Sequence, residues 1–339
     1  MHAFGAEFDV QPGYLNTASI GVPPVRVADA VTEAVGRWRR GEDMPSAFDD
    51  SVAAARAAFA TLAGVPVDRV AIGTTVSQLV STVAAGLPDG AKVLVAAGEF
   101  TSVSFPFAAQ AHRGVTVTEA DLTDLPARAG DHDVVAVSVV QSANGAQVDL
   151  GALRAAAEAG GTAVLLDTSQ AAGWLPLALD WADWVVGAGY KWLLCPRGSS
   201  WLAVHPRALE RTRPIAAGWY AGDVPMETTY GLPLRLAEGA RSLDLSPVWF
   251  AQTGAAVALP YLASLDLAEV RDHCVGLADS FLKALGREPL GSAIVAVAAD
   301  PGRLAAAGIS SGIRAGKVRV AFHLYNTADD VERLLTAFG

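Results

Sequence analysis

Short, almost wholly apolar runs alternate with alanine-rich helical stretches through the middle of this chain. That alternation restricts the fold more than any other feature. Val93 to Ala96, Val134 to Val140, Ala163 to Leu166 and Trp184 to Val186 each read as a strand without a polar face. Such strands are buried on both sides, as parallel strands are between two layers of helices. Helical stretches such as Asp149 to Ala159 lie between them. The alternation therefore predicts an α/β fold, a mostly parallel central sheet with helices on both faces. Upstream, Arg26 to Trp38 and Ser51 to Ala63 read as helices, with Pro23-Pro24 at the entry to the first. From Ala216 to Pro247 the pattern breaks into a Gly-, Pro-, Tyr- and Trp-rich stretch, and long loops of this kind are often functional. A helical segment then runs to Leu265, and 293–339 reads strand, helix, strand, helix.

Composition removes several alternatives. The 339 residues predict roughly two domains. The formal charge of −10 lacks the basic footprint of a nucleic-acid protein. Two cysteines make neither a disulfide framework nor a zinc site, and no metal is expected. The opening MHAFGAEFDV has no basic segment leading into an apolar core, so no secretory signal is expected and the cytoplasm is the expected compartment. The longest uncharged run, Ser246 to Leu265, is about long enough to cross a bilayer. It holds Pro247, Gln252, Thr253, Gly254, Pro260 and Ser264, so a buried helix is expected and no membrane partner.

Chemistry concentrates at the ends of the predicted strands. Lys191 sits in the apolar stretch from Trp184 to Pro196. Taken alone it reads as a lysine with a buried stem and a solvated head. Asp167 closes the strand Ala163 to Leu166, at the edge where open α/β sheets place their ligands. An acid and a lysine at successive strand ends suit pyridoxal 5′-phosphate (PLP), which needs a lysine for its aldehyde and an acid for its ring nitrogen. Gly73-Thr74-Thr75, before a helical run, offers a phosphate cradle, or else an ordinary turn and cap. Phe100 reads as a stacking ring or a core residue. Arg319, inside the run Val318 to Phe322, needs an anion: a substrate carboxylate or a structural partner.

In chain order, Tyr14-Leu15-Asn16-Thr17-Ala18, Gly73-Thr74-Thr75, Asp167-Thr168-Ser169-Gln170, Gly189-Tyr190-Lys191, Val318-Arg319-Val320 and Tyr325-Asn326-Thr327 resemble the class V aminotransferase family of fold type I PLP enzymes. That group includes cysteine desulfurases, kynureninases and isopenicillin N epimerase. The resemblance implies a large PLP domain over 20–245 and a small α+β domain of 246–339 joined by 1–19. It implies that Lys191 carries the cofactor and that Asp167 pairs with the ring nitrogen. Gln170 would meet the ring hydroxyl, Phe100 would stack, and Ser142 or Asn144 would line the ring edge. Thr74, Thr75 and Tyr190 would hold the phosphate. Trp219 and Ser246 would reach the phosphate of a neighbouring subunit in a homodimer. Arg319 and Asn16 would bind the substrate carboxylate.

Two departures narrow the activity. Ala188 replaces the serine that many relatives carry three residues before the lysine. The segment Ile309 to Lys317 is short and lacks the nucleophilic cysteine of persulfide-forming relatives; Cys195 and Cys274 lie elsewhere. The implied activity acts on an amino acid through an external aldimine and a quinonoid. Class V transamination leads. A β-eliminating carbon–sulfur lyase, a kynureninase-like hydrolase, an epimerase and a silent binding protein are the alternatives. Arg314 reads as a substrate-side-chain contact or as solvated, and Asp223, Glu227 and Tyr230 could face substrate or solvent.

Overall fold

The computed structural model describes residues 1–338. In chain order the strands are β1 (His2–Ala3), β2 (Ala6–Glu7), β3 (Val70–Gly73), β4 (Lys92–Ala96), β5 (Thr116–Ala120), β6 (Val134–Ser138), β7 (Ala163–Asp167), β8 (Trp184–Ala188), β9 (Ser200–Val204), β10 (Ile294–Val297), β11 (Gly312–Arg314) and β12 (Lys317–Ala321). The helices are α1 (Val25–Arg40), α2 (Asp49–Ala63), α3 (Val76–Gly86), α4 (Thr101–Ala108), α5 (Leu125–Arg128), α6 (Leu150–Gly160), α7 (Pro206–Leu209), α8 (Trp249–Ala263), α9 (Leu267–Ala284), α10 (Pro301–Ala306) and α11 (Ala328–Phe338).

Seven strands make the central sheet in the order β3-β9-β8-β7-β6-β4-β5. The five from β8 to β5 run parallel, whereas β9 is antiparallel to both of its neighbours. The two-residue period of a strand sorts side chains to two cores. Val164 and Leu166 join the core that holds α2 and α8, and Ala163 and Leu165 join the core under α3 and α4. The fold is the expected α/β class.

Strands β5 and β9 were not expected from the sequence. Ser200–Val204 follows the apolar lysine segment across the Pro196-Arg197-Gly198 turn, and a run as short as Ser-Trp-Leu-Ala-Val after that turn does not by itself announce a strand. Thr116–Ala120 is a half-exposed edge strand with two threonines and a glutamate, so it shows no apolar run.

Near the C-terminus, β10, β12 and β11 form an antiparallel sheet covered by α9 and α11, with Leu15 in the same core. The segment read as a short loop before Arg319 contains β11. Its hairpin turns on Ala315 and Gly316, both at positive φ (47° and 73°). Two such residues match the twist of paired strands and leave no room for a longer loop.

The strip around residues 14–21 ties the parts together. Leu15 N–H donates to Ser310 O at 2.9 Å and Leu15 O accepts from Ala321 N–H at 2.9 Å. Gly21 N–H donates to Tyr190 O at 2.9 Å. A Cβ on Gly21 would fall 2.0 Å from Lys191 O, so only glycine permits this approach. Helix α8 packs on α1 and α2 within the larger core. Ahead of it, Asp244 receives Arg56 Nη2 at 2.7 Å and Ile72 N–H at 2.9 Å, which anchors β3.

Candidate active site

One cavity opens at the carboxyl ends of the parallel strands, where β3, β4, β6, β7 and β8 hand over to their loops. Thr74, Thr75, Phe100, Ser142, Asp167, Gln170, Tyr190 and Lys191 all line it. The sheet brings together most of the predicted set because parallel strands end along one edge. Ser77, Ser102, Ser138, Ser169 and Arg197 also line it and were not singled out in the sequence. Ser169 follows Asp167 by two residues and Arg197 sits in a Pro-Arg-Gly turn, faint signals at best. Trp219 and Ser246 line no part of their own chain's cavity.

Lys191 is 6 % exposed, and no carboxylate lies within 4.0 Å of its ammonium among the described residues. Its Nζ lies 5.1 Å from the centre of the Phe100 ring and 5.5 Å from that of Tyr190. Burial pushes the ammonium down to about 8. The charge of Asp167 opposes that fall, while Arg319, Arg314 and Arg197 add to it. The following loop is pinned by Gly189 N–H to Ser199 O and Cys195 N–H to Gly189 O, both 2.9 Å. Burial raises the Cys195 and Cys274 thiols far above the usual range, so both are inert in this environment.

Asp167 ends β7 fully enclosed and accepts from Ser169 N–H at 2.8 Å. Burial raises its pKa against the pull of that bond and of Lys191. Glu99, whose chemistry the sequence reading missed, is a second buried carboxylate. It accepts from Phe100 N–H (2.8 Å), Ser138 N–H (2.9 Å), Ser138 Oγ (2.6 Å) and Gln141 Nε2 (2.9 Å). One side chain thus fixes the start of α4, the end of β6 and the loop after it.

Thr75 caps α3, its Oγ1 accepting from Gln78 N–H at 3.3 Å, while Thr74 Oγ1 bonds to Gln78 Oε1. The positive end of α3 therefore faces the cavity with Thr74, Thr75 and Ser77 around it. Arg197 stacks on the Tyr190 ring at 5.1 Å and has no carboxylate within 4.0 Å among the described residues.

Gln170 is a junction. Its Nε2 donates to Ala18 O at 3.0 Å and Ser142 Oγ at 3.1 Å, and its Oε1 accepts from Trp192 Nε1 at 2.7 Å. Both amide protons are thus engaged within the protein. Ser142 in turn accepts from Arg319 Nη1, at 2.7 Å through its backbone oxygen and 3.0 Å through Oγ. Arg319 is 1 % exposed and its Nη2 donates to Ser19 Oγ at 2.7 Å. Among the described residues its Nε has no partner, nor has the buried Asn16 Oδ1. Arg319 is thus a buried cation held by neutral acceptors alone, a costly state that a carboxylate would relieve.

These residues fit PLP. A buried lysine without an ionic partner, an enclosed carboxylate one strand away and a helix N-terminus ringed by hydroxyls match the aldehyde, ring nitrogen and phosphate.

The family model for aminotransferase class V matches residues 24–305. The chain belongs to the class V aminotransferase family. It is an enzyme of that family, and its cofactor is PLP. Curated relatives include a kynureninase of Deinococcus radiodurans, 28 % identical over 315 residues and covering 84 % of this chain and 74 % of the relative. The isopenicillin N epimerase of Amycolatopsis lactamdurans is 28 % identical, covering 95 % of this chain and 93 % of the relative. Among solved structures, the cystine C–S lyase C-DES superposes with a TM-score of 0.85 at 20 % identity, covering 97 % of both chains. The cysteine desulfurase CsdA of Escherichia coli gives 0.83 at 20 %, covering 98 % of this chain and 95 % of that one. These likenesses establish the fold type I architecture. No helix among the described residues is long and apolar enough to cross a membrane.

Proposed function

We propose that this class V enzyme is an aminotransferase acting on an α-amino acid. One observation carries the reading. Lys191 is buried and lowered to about 8, and no other lysine, and no histidine or cysteine, lines the cavity among the described residues. A single base that takes a proton from the substrate and returns it nearby serves transamination.

When bound, PLP supplies an aldehyde that captures amines and a ring that withdraws electrons. Lys191 Nζ would hold the aldehyde and, once released, accept the proton from the substrate's α-carbon. Asp167 would face a protonated ring nitrogen, and that charge would offset the burial that disfavours its carboxylate. Thr74, Thr75 and the first amides of α3 would hold the phosphate, with Tyr190 beside them. Phe100 would cover the ring, with Ser142 and Gln170 along its edge. Arg319 would grip the substrate carboxylate beside Asn16 and so orient the α-hydrogen towards Lys191. We further propose a homodimer in the cytoplasm, in which Trp219 and Ser246 serve the partner's site, and the division into 20–245 and 246–339 with 1–19.

The test is an amino-acid panel with a keto-acid acceptor. Transamination converts the cofactor to its amine form and yields a new amino acid. Pyruvate and ammonia released without an acceptor would replace the reading by β-elimination. A kynureninase-like activity is the second reading, favoured by Tyr190 beside Lys191 and by the 28 % identical kynureninase. Turnover of kynurenine without an acceptor would support it.

A further inference from the structure

We propose that the substrate carries a second negative charge on its side chain, and that Arg314 reads it. The inference rests on the amino-acid reading above and names the substrate class: α-amino acids with an acidic side chain, and the matching keto acids.

Two guanidinium groups converge on one hydroxyl. Arg319 Nη2 donates to Ser19 Oγ at 2.7 Å, and Arg314 Nη2 lies 3.5 Å from the same oxygen. Neither arginine has a carboxylate within 4.0 Å among the described residues, so no structural ion pair explains either. Other groups open onto the same spot. A Cβ on Gly312 would fall 3.2 Å from Asn16 Oδ1, 3.4 Å from Arg319 Nη2 and 3.5 Å from Ser19 Oγ. Glycine at 312 therefore lets the backbone pack closely against Asn16, Ser19 and Arg319, where a larger side chain would crowd their polar atoms. Asn16 Oδ1 and Arg319 Nε stand there without partners among the described residues.

The backbone of Arg314 pairs with that of Lys317 across the Ala315-Gly316 turn, and its Nη1 donates to Ile313 O at 2.8 Å. Its charge reaches the site: Arg314 opposes protonation of both Arg319 and Lys191.

A charge count completes the argument. The charges of three arginines, Arg319, Arg314 and Arg197, act on Lys191. Arg197 lines the cavity that holds the phosphate cradle. A monoanionic α-carboxylate accounts for Arg319. Like charges set this close are unfavourable unless an anion lies between them, so Arg314 is left to a second anionic group. An acidic side chain meets it; an alkyl or aryl one does not.

The experiment titrates PLP-loaded protein with aspartate, glutamate, cysteine sulfinate, alanine, serine and kynurenine, reading apparent Kd from the shift in cofactor absorbance. Wild type is expected to bind the acidic amino acids at least about tenfold tighter than the neutral ones. Arg314→Gln is expected to collapse that ratio to within about twofold, and Arg314→Glu to invert it. Circular dichroism confirms that each variant is folded, and the exposed hairpin turn makes either substitution tolerable. A neutral preference in wild type, or an acidic preference that Arg314→Gln leaves in place, overturns the inference while leaving the amino-acid reading intact. A spectrum that no amino acid moves removes that reading, and this inference with it.

Discussion

Lys191 is an ammonium placed where an ammonium is costly. Its pKa falls from 10.5 to about 8 on burial, so the folded state binds fewer protons than the unfolded chain between those values. Stability of the cofactor-free protein therefore rises with pH across that window, and below about 8 the buried charge costs roughly 3 kcal/mol. Lys191→Met should raise the Tm of cofactor-free protein at pH 7 and flatten this pH dependence. It should also abolish the yellow colour of the PLP-loaded form. Scanning calorimetry from pH 7 to 10 checks the first, and absorbance the second. Arg319→Ala should weaken the amino-acid substrate by about 10²- to 10³-fold, as loss of a buried charged partner does, while the absorbance of bound PLP persists. At this scale Lys191, Asp167 and Arg319 were legible because a charge in an apolar run demands a reason. Glu99 was not: a glutamate after a glycine reads as a loop residue, and its four donors come from segments up to 42 residues away.

Single side chains at the strand ends control whole elements. Glu99 joins β6, the following loop and α4, so Glu99→Gln turns one acceptor into a donor amid four donors. We expect a loss of about 2 kcal/mol, measured by urea unfolding, with weaker PLP binding because Phe100 loses its anchor. Thr75→Ala should cost about 1 kcal/mol through the lost cap of α3, and should raise the Kd for PLP in a fluorescence titration. The helices and inner strands were legible from period and apolarity. The hairpin before Arg319 was not, since Ala315 takes a conformation that glycine or asparagine usually signals.

For the whole molecule, the proposed homodimer gives a sharp expectation. Sedimentation should give a mass near twice 35.0 kDa. Lys191→Ala and Trp219→Ala, each inactive or weakened alone, should recover activity on mixing, because a mixed dimer then holds one intact site. Recovery would be missing if Trp219 served its own chain. The alternating pattern made the α/β class legible. It could not show that β3 pairs with β9, partners some 130 residues apart, or that residues 14–21 lie against both Lys191 and Arg319.

That last arrangement sets an order of assembly during synthesis. Every residue that lines the cavity lies at or before position 197, and β9 and Asp244, which seat β3, follow by position 244, so the cofactor half is synthesised before the segment that carries Arg319. The contacts of Asn16 and Ser19 with this segment wait for Arg319, which emerges some 300 residues after them. At ordinary elongation rates that is roughly 15–60 s. On the proposed roles of Arg319 and Arg314, a nascent chain would meet PLP before it could tell one amino acid from another, and selectivity would be the last property the ribosome delivers.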